Sequence, residues 1–167
     1  MKFEDAFALL IGNEGGFTKD PKDRGNWTSG VVGKGELKGT KYGISAMAYP
    51  NLDIENLTLG QAQLIYKADY WNEVKCDQLP ETIKFDMFDM AVNSGVLTAA
   101  KILQRAVGTV EDGTIGAATI IASTKLDQQL LDKRLSARRL LYISEIKTFP
   151  SYGRGWIIRV ANNLLKD

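Results

Sequence analysis

The first helix of the chain is visible in the spacing of its apolar residues. Phe3, Ala6, Phe7, Leu10 and Ile11 recur as one face of an α-helix does, which predicts a helix that starts near Phe3 and has Glu14 on its last turn. A polar, irregular stretch from residue 15 to residue 45 follows and contains eight of the sixteen glycines. Because glycine-rich polar stretches favour turns, we expect loops and a short β-hairpin there.

Periodic apolar patterns dominate the remainder of the chain. Thr58 and Gln61 have the spacing of a capping box ahead of an apolar run, so a helix of about four turns is expected to reach Trp71. Pro80, Gly108 and the glycines near residue 153 mark further helix boundaries. Five more helices are predicted over residues 80–93, 98–107, 117–123, 126–149 and 156–165.

The predicted helix over residues 80–93 is apolar nearly all round, which is typical of a helix at the centre of a domain. Its polar exceptions, Asp86, Asp89 and Asn93, fall on one stripe. Because buried polar groups need hydrogen-bond partners, the stripe either ties neighbouring loops together or lines a wet cleft. Arg138 and Arg139 are expected on a solvated helix face, and Trp156 and Arg159 in packing.

Composition narrows the class of protein. A chain of 167 residues that is 44% hydrophobic fits one domain over residues 1–167. A net charge of +1 argues against a nucleic-acid-binding protein. The absence of histidine excludes Ser–His–Asp and Cys–His catalysis and histidine-ligated zinc, and Cys76 alone cannot form an intrachain disulfide. We therefore expect neither a metal nor a cofactor.

Targeting signals are also absent from the sequence pattern. Glu4 and Asp5 precede an apolar stretch that is too short for a secretory signal, and no run approaches the ~18–20 apolar residues of a membrane span. The protein is therefore expected to be cytoplasmic when made, without stable membrane insertion.

Glu14 is the strongest candidate for chemistry. It ends the first predicted helix and precedes Gly15 and Gly16, which are natural helix stops. The negative end of the helix dipole favours a protonated carboxyl group, which suits a general acid. Cleavage of a glycosidic bond requires such an acid and usually a second carboxylate, and Asp20 and Asp23 follow closely.

Three blocks of sequence carry a resemblance to a known family. The first is Glu14-Gly15-Gly16-Phe17 with Asp20-Pro21, Asp23 and Gly25, and the second is Thr40-Lys41-Tyr42-Gly43-Ile44. The third comprises Asp89 to Gly95, Leu103 to Ala106 and Asp112 to Gly116. Together they resemble glycoside hydrolase family 108, which contains phage and prophage endolysins with N-acetylmuramidase activity.

This resemblance implies a fold and a biological role. The expected fold is mainly α, a lysozyme-like α+β single domain with a small irregular or β-hairpin segment near its N-terminus. Residues 1–84 would hold the catalytic motifs, and residues 85–167 resemble a peptidoglycan-binding region. A monomeric endolysin would wait in the host cytoplasm until a holin-type pore opens the membrane. It would then cut peptidoglycan strands in the periplasmic wall of a Gram-negative host.

The resemblance also implies roles for single residues: Glu14 as general acid, an aspartate as base or electrostatic partner, and a threonine that holds the attacking water. Asp23 is preferred to Asp20, because an aspartate before proline commonly caps a turn. An extra segment, residues 29–39, separates two candidate threonines. Thr40 is preferred, because its flank carries the match, and Thr28 is the alternative. A water-activating site implies inversion of the anomeric configuration.

Sugar contacts are expected from aromatic faces and fixed polar groups. The candidates are Tyr42, Tyr70, Trp71, Asp89 and Asn93, although Trp71 also fits a core position and Asn93 a helix cap. Two other classes of function remain open: a lytic transglycosylase, which uses one glutamate and no water, and a peptidoglycan-binding module without activity.

Overall fold

The computed structural model describes residues 1–12 and 16–165. It divides into two compact units, Lys2–Ala68 and Asp69–Asp167, with Met1 counted in the second. The boundary lies about fifteen residues before the predicted limit between the two halves at residue 84. The assignment of both halves to one domain stays a prediction.

The N-terminal unit combines two helices with a small hairpin. Helix α1 spans Phe3–Ile11, so its start agrees with the periodicity, but it ends before Glu14, where the sequence placed its last turn. Helix α2 spans Leu59–Tyr66. Between them, strands β1 (Thr40–Lys41) and β2 (Ile44–Ser45) pair antiparallel. The rings of Phe7 and Tyr66 meet edge to face at 5.4 Å in the core of this unit. The predicted short hairpin is therefore confirmed.

The turn of this hairpin depends on two residues with left-handed backbone angles. Tyr42 has a φ of 51° and Gly43 a φ of 75°, as a type I′ turn requires. The Tyr66 hydroxyl donates a hydrogen bond to the Tyr42 carbonyl at 3.0 Å and lies where a side chain at Gly43 would be. Only glycine fits the second position, and the hydrogen bond fixes the less common conformation of Tyr42.

Helix α2 begins with the predicted capping box. The Thr58 hydroxyl accepts a hydrogen bond from the Gln61 backbone N–H at 3.2 Å, and the Gln61 side chain accepts from the Thr58 backbone at 2.8 Å. After Tyr66 the helix continues as a π-helical segment, Lys67–Trp71, and the first unit ends within this segment, at Ala68. The predicted end at Trp71 is correct, whereas the π-helical turn was not foreseen.

In the described residues of the C-terminal unit, all regular secondary structure is helical. Helix α3 packs against α4 and α6, and α6 packs against both α4 and α7. The buried Trp71 ring contacts Phe88 of α3 edge to face at 5.5 Å. The helices are α3 (Glu81–Ser94), α4 (Val96–Val107), α5 (Ala117–Lys125), α6 (Gln128–Glu145) and α7 (Phe149–Leu164).

The last two helices differ from the sequence prediction. Helix α6 ends four residues early, at Glu145, and α7 begins at Phe149 and runs through the expected break. Pro150 lies in the first turn, where its missing N–H costs nothing. Gly153 lies inside α7, and the Phe149 ring occupies the place that a side chain there would take. Packing therefore offsets the weak helix propensity of glycine.

Gln104 connects two segments of the third matched block, Leu103 to Ala106 and Asp112 to Gly116. Its buried amide donates to Asp112 at 2.7 Å and to the Thr114 carbonyl at 3.1 Å, and it accepts from the Gly113 N–H at 2.9 Å. These hydrogen bonds fix the loop after α4. The amide of Gln104 also holds the pKa of Asp112 below its usual value.

Two properties of the sequence have structural counterparts. Cys76 is buried, and burial raises the pKa of its thiol, with a further contribution from the neighbouring Asp77. Among the described residues, no helix combines the length and apolar character required to cross a bilayer.

Candidate active site

Asn26 organises the irregular segment of the N-terminal unit. It is fully buried at the end of a short 3₁₀ turn, Arg24–Asn26. Its side-chain amide donates to the Asp20 carbonyl at 3.0 Å, and its main-chain carbonyl accepts from the backbone N–H groups of Lys38 and Gly39 at 3.0 and 3.1 Å. Asn26 thus connects, through its side chain and its main chain, the loop that carries both candidate aspartates and the residues before β1.

The hydroxyl group of Thr40 completes the hydrogen bonding of Asn26. Thr40 Oγ1 donates to Asn26 Oδ1 at 2.7 Å. The backbone of Thr40 pairs with that of Thr18 in both directions, at 2.8 and 2.9 Å. The proton of this hydroxyl is therefore committed to Asn26, whereas its oxygen retains acceptor capacity toward a second partner.

The hydroxyl group of Thr28 accepts a hydrogen bond, whereas that of Thr40 donates one. Thr28 Oγ1 accepts from the Glu36 N–H at 2.9 Å, while the N–H of Thr28 donates to the Glu36 carbonyl at 3.0 Å. These bonds close the base of the extra segment, where Trp27 and Leu37 also pair. The hydroxyl of Thr28 therefore serves this loop and keeps its proton for donation.

Asp20 and Asp23 have matching structural roles. Asp20 Oδ1 accepts from the Lys22 N–H at 2.9 Å, and Asp23 Oδ1 accepts from the Gly25 N–H at 2.8 Å. Each carboxylate thus caps a turn two residues ahead with one oxygen, and both residues are exposed. The sequence argument for Asp23 was that Asp20 alone would cap its own backbone. The structure removes that distinction, so geometry ranks the two aspartates equally.

The predicted general acid, Glu14, lies outside the described residues. The aromatic candidate Tyr42 lies at the tip of the hairpin, half-buried, with the ammonium group of Lys41 at 5.7 Å from its ring centroid. Thr40 lies in strand β1 and Tyr42 in the turn that follows it, so both belong to the hairpin of the N-terminal unit.

The two aromatic candidates of the π-helical segment, Trp71 and Tyr70, differ in their exposure to solvent. Trp71 is fully buried, and its indole N–H donates to Asp77 at 2.9 Å. It therefore offers no face to a sugar, and the structure supports the alternative core position instead. Tyr70, its neighbour, is half-buried and retains partial access to solvent.

Asp89 lies in a buried ion network rather than at a surface. One carboxylate oxygen accepts from Arg139 at 2.5 Å, and the other contacts the Arg159 guanidinium at 3.3 Å. Asp86 contacts Arg139 at 3.3 Å and accepts from the Asn163 amide at 2.9 Å. The side chain of Asp89 is 1% exposed, so its oxygens are unavailable to a sugar.

The expected position of Arg139 on a solvated helix face is wrong. The residue is 3% exposed, because two carboxylates on the apolar helix α3 require a cation within the core. Its neighbour Arg138 is exposed, as predicted. Through Asp86 and Asp89 the stripe on α3 thus ties helices α6 and α7 to α3, whereas the first alternative expected it to tie neighbouring loops.

Asn93, at the end of the stripe, fulfils the second alternative. It is exposed, donates to Asp89 at 3.0 Å and accepts from the Arg159 guanidinium. Arg159 and Trp156 do not serve packing alone, because they line a cavity of about 250 Å³. The other residues around this cavity are Asn93, Ser94, Arg139, Tyr142, Ile143, Ile146 and Thr148.

Sequence reasoning missed Asn26, Arg139 and Arg159. The two arginines were recoverable, because two acidic residues on an apolar helix imply basic partners. Asn26 gave no such signal, since an asparagine in a glycine-rich loop is ordinary. Within the described residues, no group of three or more Cys, Asp or Glu side chains gathers as metal ligands would.

Comparisons with known proteins agree with the sequence blocks. The family model for glycosyl hydrolase 108 matches residues 7–95, more than half of the chain. The chain belongs to glycosyl hydrolase family 108. This family 108 member is therefore a glycoside hydrolase. The matched residues include Glu14, both candidate aspartates and both candidate threonines.

A solved structure extends the likeness beyond the matched segment. The structure of SagA from Brucella abortus shares 32% sequence identity with this family 108 chain, covering 96% of it and 90% of SagA, with a TM-score of 0.79. The predicted mainly α, lysozyme-like fold with a small hairpin is thereby confirmed. The comparison with curated proteins found no match.

Because of the buried ion network, alanine substitution of Arg139 should destabilise the protein far more than alanine substitution of the adjacent Arg138. Arg139→Ala leaves Asp86 and Asp89 in the core without their shared cation, which we expect to cost about 3–5 kcal/mol of unfolding free energy. For a domain of this size, Tm should fall by roughly 10 °C. The matched variant Arg138→Ala, at an exposed position, should change the unfolding free energy by less than about 0.5 kcal/mol. Thermal and urea unfolding followed by circular dichroism measure both, and equal effects would contradict a stabilising network.

Proposed function

We propose that this family 108 hydrolase is an endolysin that hydrolyses the β-1,4 bond between N-acetylmuramic acid and N-acetylglucosamine in peptidoglycan. The observation that carries the proposal is the family match over residues 7–95, which covers the whole set of candidate catalytic residues. Glu14 acts as the general acid that protonates the leaving oxygen. An aspartate and a threonine from the Asn26-centred loops act on water.

The hydrogen bonds of the two threonines favour Thr40 for the water. A nucleophilic water must point a lone pair at the anomeric carbon, so its protons should go to acceptors. Thr40 gives its proton to Asn26 and retains an acceptor oxygen. Thr28 already uses one of its two lone pairs to accept from the Glu36 N–H, and its uncommitted proton would compete for the lone pairs of the water.

Asp23 is the proposed base, and the reaction proceeds with inversion. In that geometry the carboxylate and the acid are separated by ~6.5–9.5 Å, which leaves room for the water between them. Asp23 has one carboxylate oxygen committed to the Gly25 N–H, and this bond fixes the orientation of the group. Its other oxygen has no hydrogen-bond partner among the described residues.

The proposed biological setting follows from the endolysin resemblance. The enzyme is made in the cytoplasm of a phage-infected or lysogenic host, crosses the membrane through a holin-type pore and acts as a monomer on the periplasmic wall. Its contacts with the glycan involve Tyr42 and Tyr70, and Asn93 at the end of helix α3.

The first test concerns Glu14. Purified peptidoglycan should release fragments with a reducing N-acetylmuramic acid end when digested with the wild-type protein, and Glu14→Gln should lower the rate at least about 100-fold. Mass spectrometry identifies the fragment ends. Anhydro ends would indicate a lytic transglycosylase, and no release by either protein would indicate a binding module. NMR of the first product checks for inverted configuration.

The second test separates the two aspartates. Asn in place of either residue retains the Oδ1 that caps the turn and removes only the charge, so Asp20→Asn and Asp23→Asn are matched variants. We expect Asp23→Asn to lower kcat about 100-fold or more and Asp20→Asn to change it less than about threefold. Turnover of purified peptidoglycan, with Tm as a check on folding, gives the answer. The reverse order would assign the base to Asp20.

The third test compares the threonines. Thr40→Val removes the acceptor for the proposed water and should lower kcat about tenfold or more with little change in KM, whereas Thr40→Ser should retain most activity. Thr40→Val also leaves the buried Asn26 oxygen unpaired, which should cost about 1–3 kcal/mol of stability.

Thr28→Val is the control for this comparison. It removes a hydroxyl that serves the 29–39 loop, so kcat should stay within about threefold of wild type once the protein is folded. A loss of kcat in Thr28→Val that matches the loss in Thr40→Val would argue against a special role for Thr40.

A further inference from the structure

The cavity between α3, α6 and α7 has the composition of a ligand-binding site. Its wall combines apolar side chains, Ile143 and Ile146, with the aromatic rings of Tyr142 and Trp156 and with polar groups at its rim. Ligand sites in proteins typically show this mixture of apolar lining and a few convergent polar groups. At about 250 Å³ the cavity is slightly smaller than the ~300–1,000 Å³ of pockets for drug-sized ligands, so it suits one sugar-sized group.

Several polar groups on this wall have no hydrogen-bond partner within the part of the chain that the structure describes. The hydroxyl groups of Ser94, Tyr142 and Thr148 make no hydrogen bond with any residue of the described ranges, and neither does Arg159 Nη2. Arg139 Nε, buried in the same wall, also has no partner there. The wall therefore offers guanidinium and hydroxyl donors together with hydroxyl acceptors, and an occupant that carries both a carbonyl oxygen and an N–H group would satisfy it.

The electrostatic balance of the wall selects a neutral occupant. The two guanidinium groups, Arg139 and Arg159, contact the two carboxylates of Asp86 and Asp89 at 2.5–3.3 Å. The positive and negative charges of this network are equal, so no net charge attracts a carboxylate such as that of a stem peptide. A carbonyl oxygen beside an apolar methyl group fits the donors and the isoleucines together.

Arg159 is held in position for such a carbonyl. Its Nε contacts Asp89 at 3.3 Å, and its Nη1 donates to Asn93, which itself donates to Asp89. The side chain is nevertheless 39% exposed. Two edges of the guanidinium are thus fixed by the protein, and Nη2 is left to donate to a ligand.

We propose that this cavity binds the acetamido group of an N-acetylhexosamine residue. The carbonyl oxygen accepts from Arg159 Nη2, the amide N–H donates to the Tyr142 hydroxyl, the methyl group packs against Ile143 and Ile146, and the sugar ring lies against Trp156. The choice of sugar rests on the proposed function, whereas the chemistry of the wall stands independently of it. The cavity lies wholly within the C-terminal unit.

The tryptophan indole signals provide a direct readout. The chain has three tryptophans, and each gives one indole N–H signal in a ¹H–¹⁵N spectrum. Trp156 lines the cavity, whereas Trp71 is fully buried and serves as an internal reference. In the full chain carrying Glu14→Gln, the tetrasaccharide of N-acetylglucosamine should shift the Trp156 signal saturably and leave that of Trp71 in place. The spectrum of Trp156→Phe assigns the signal.

A second titration isolates the acetamido group. The tetrasaccharide of glucose has the same linkage and no charge, but a hydroxyl replaces the acetamido group. We expect it to bind at least about tenfold more weakly, since it lacks both the carbonyl and the methyl group.

Two variants test the polar contacts. Tyr142→Phe removes one hydroxyl, and Arg159→Lys retains the charge beside Asp89 but lacks the second nitrogen, so each should weaken binding about three- to tenfold. The matched control is Tyr152→Phe. Tyr152 is exposed on α7, its ring lies 5.9 Å from that of Trp156, and it does not line the cavity. This control should bind as the Glu14→Gln parent does.

The outcomes separate this inference from the proposed function. No saturable change at Trp156, an equal response to the glucose tetrasaccharide, or equal weakening by Tyr152→Phe and Tyr142→Phe would overturn the acetamido site. None of those results would bear on whether the wild-type protein cleaves peptidoglycan, which is measured separately. Conversely, a Trp156 response that follows the expected order, in a protein that releases no peptidoglycan fragments, would uphold the site and reject the hydrolase activity.

Discussion

The buried contact of Arg139 with Asp86 and Asp89 is the constraint on which the C-terminal unit depends. Helix α3 is apolar nearly all round, which permits its central position, yet it carries two carboxylates into the core. Charges removed from water require paired and hydrogen-bonded partners. Arg139 from α6 and Asn163 from α7 supply them, so three helices are fixed in register by a polar requirement rather than by apolar packing alone.

In the N-terminal unit an uncharged residue, Asn26, has the organising role that Arg139 has in the C-terminal unit. Asn26 is buried in a segment with little secondary structure, where hydrophobic contacts are few. Its amide and carbonyl groups connect the loop around Asp20, the backbone before β1 and the hydroxyl of Thr40. A neutral amide can be buried among these loops at a lower desolvation cost than a charged group. Each unit thus has one polar side chain that positions the candidate functional groups around it.

The regular parts of this fold could be predicted from sequence, because their signals are local. Helix α1 follows from apolar spacing, α2 from the pairing of Thr58 with Gln61, and the hairpin from its glycines. The first half of helix α7 could not be predicted, because the space beside Gly153 is filled by Phe149 only once the helix exists. The site shows the same limit. Thr40 and Thr28 differ by what their hydroxyl groups contact, Asn26 or Glu36, and those contacts depend on tertiary structure.

The hydrogen bonding of the carboxylates also decides which of them can transfer protons. Asp86 and Asp89 are buried and contact guanidinium and amide donors, so they are engaged within the core rather than directed at a substrate. A general acid or base must reach its proton partner directly. Asp20 and Asp23 each keep one oxygen without a partner in the described residues, on exposed turns. These contacts agree with the proposed assignment of proton transfer to the N-terminal unit, whereas Asp89 in the C-terminal unit holds Arg159 and Asn93 at the cavity.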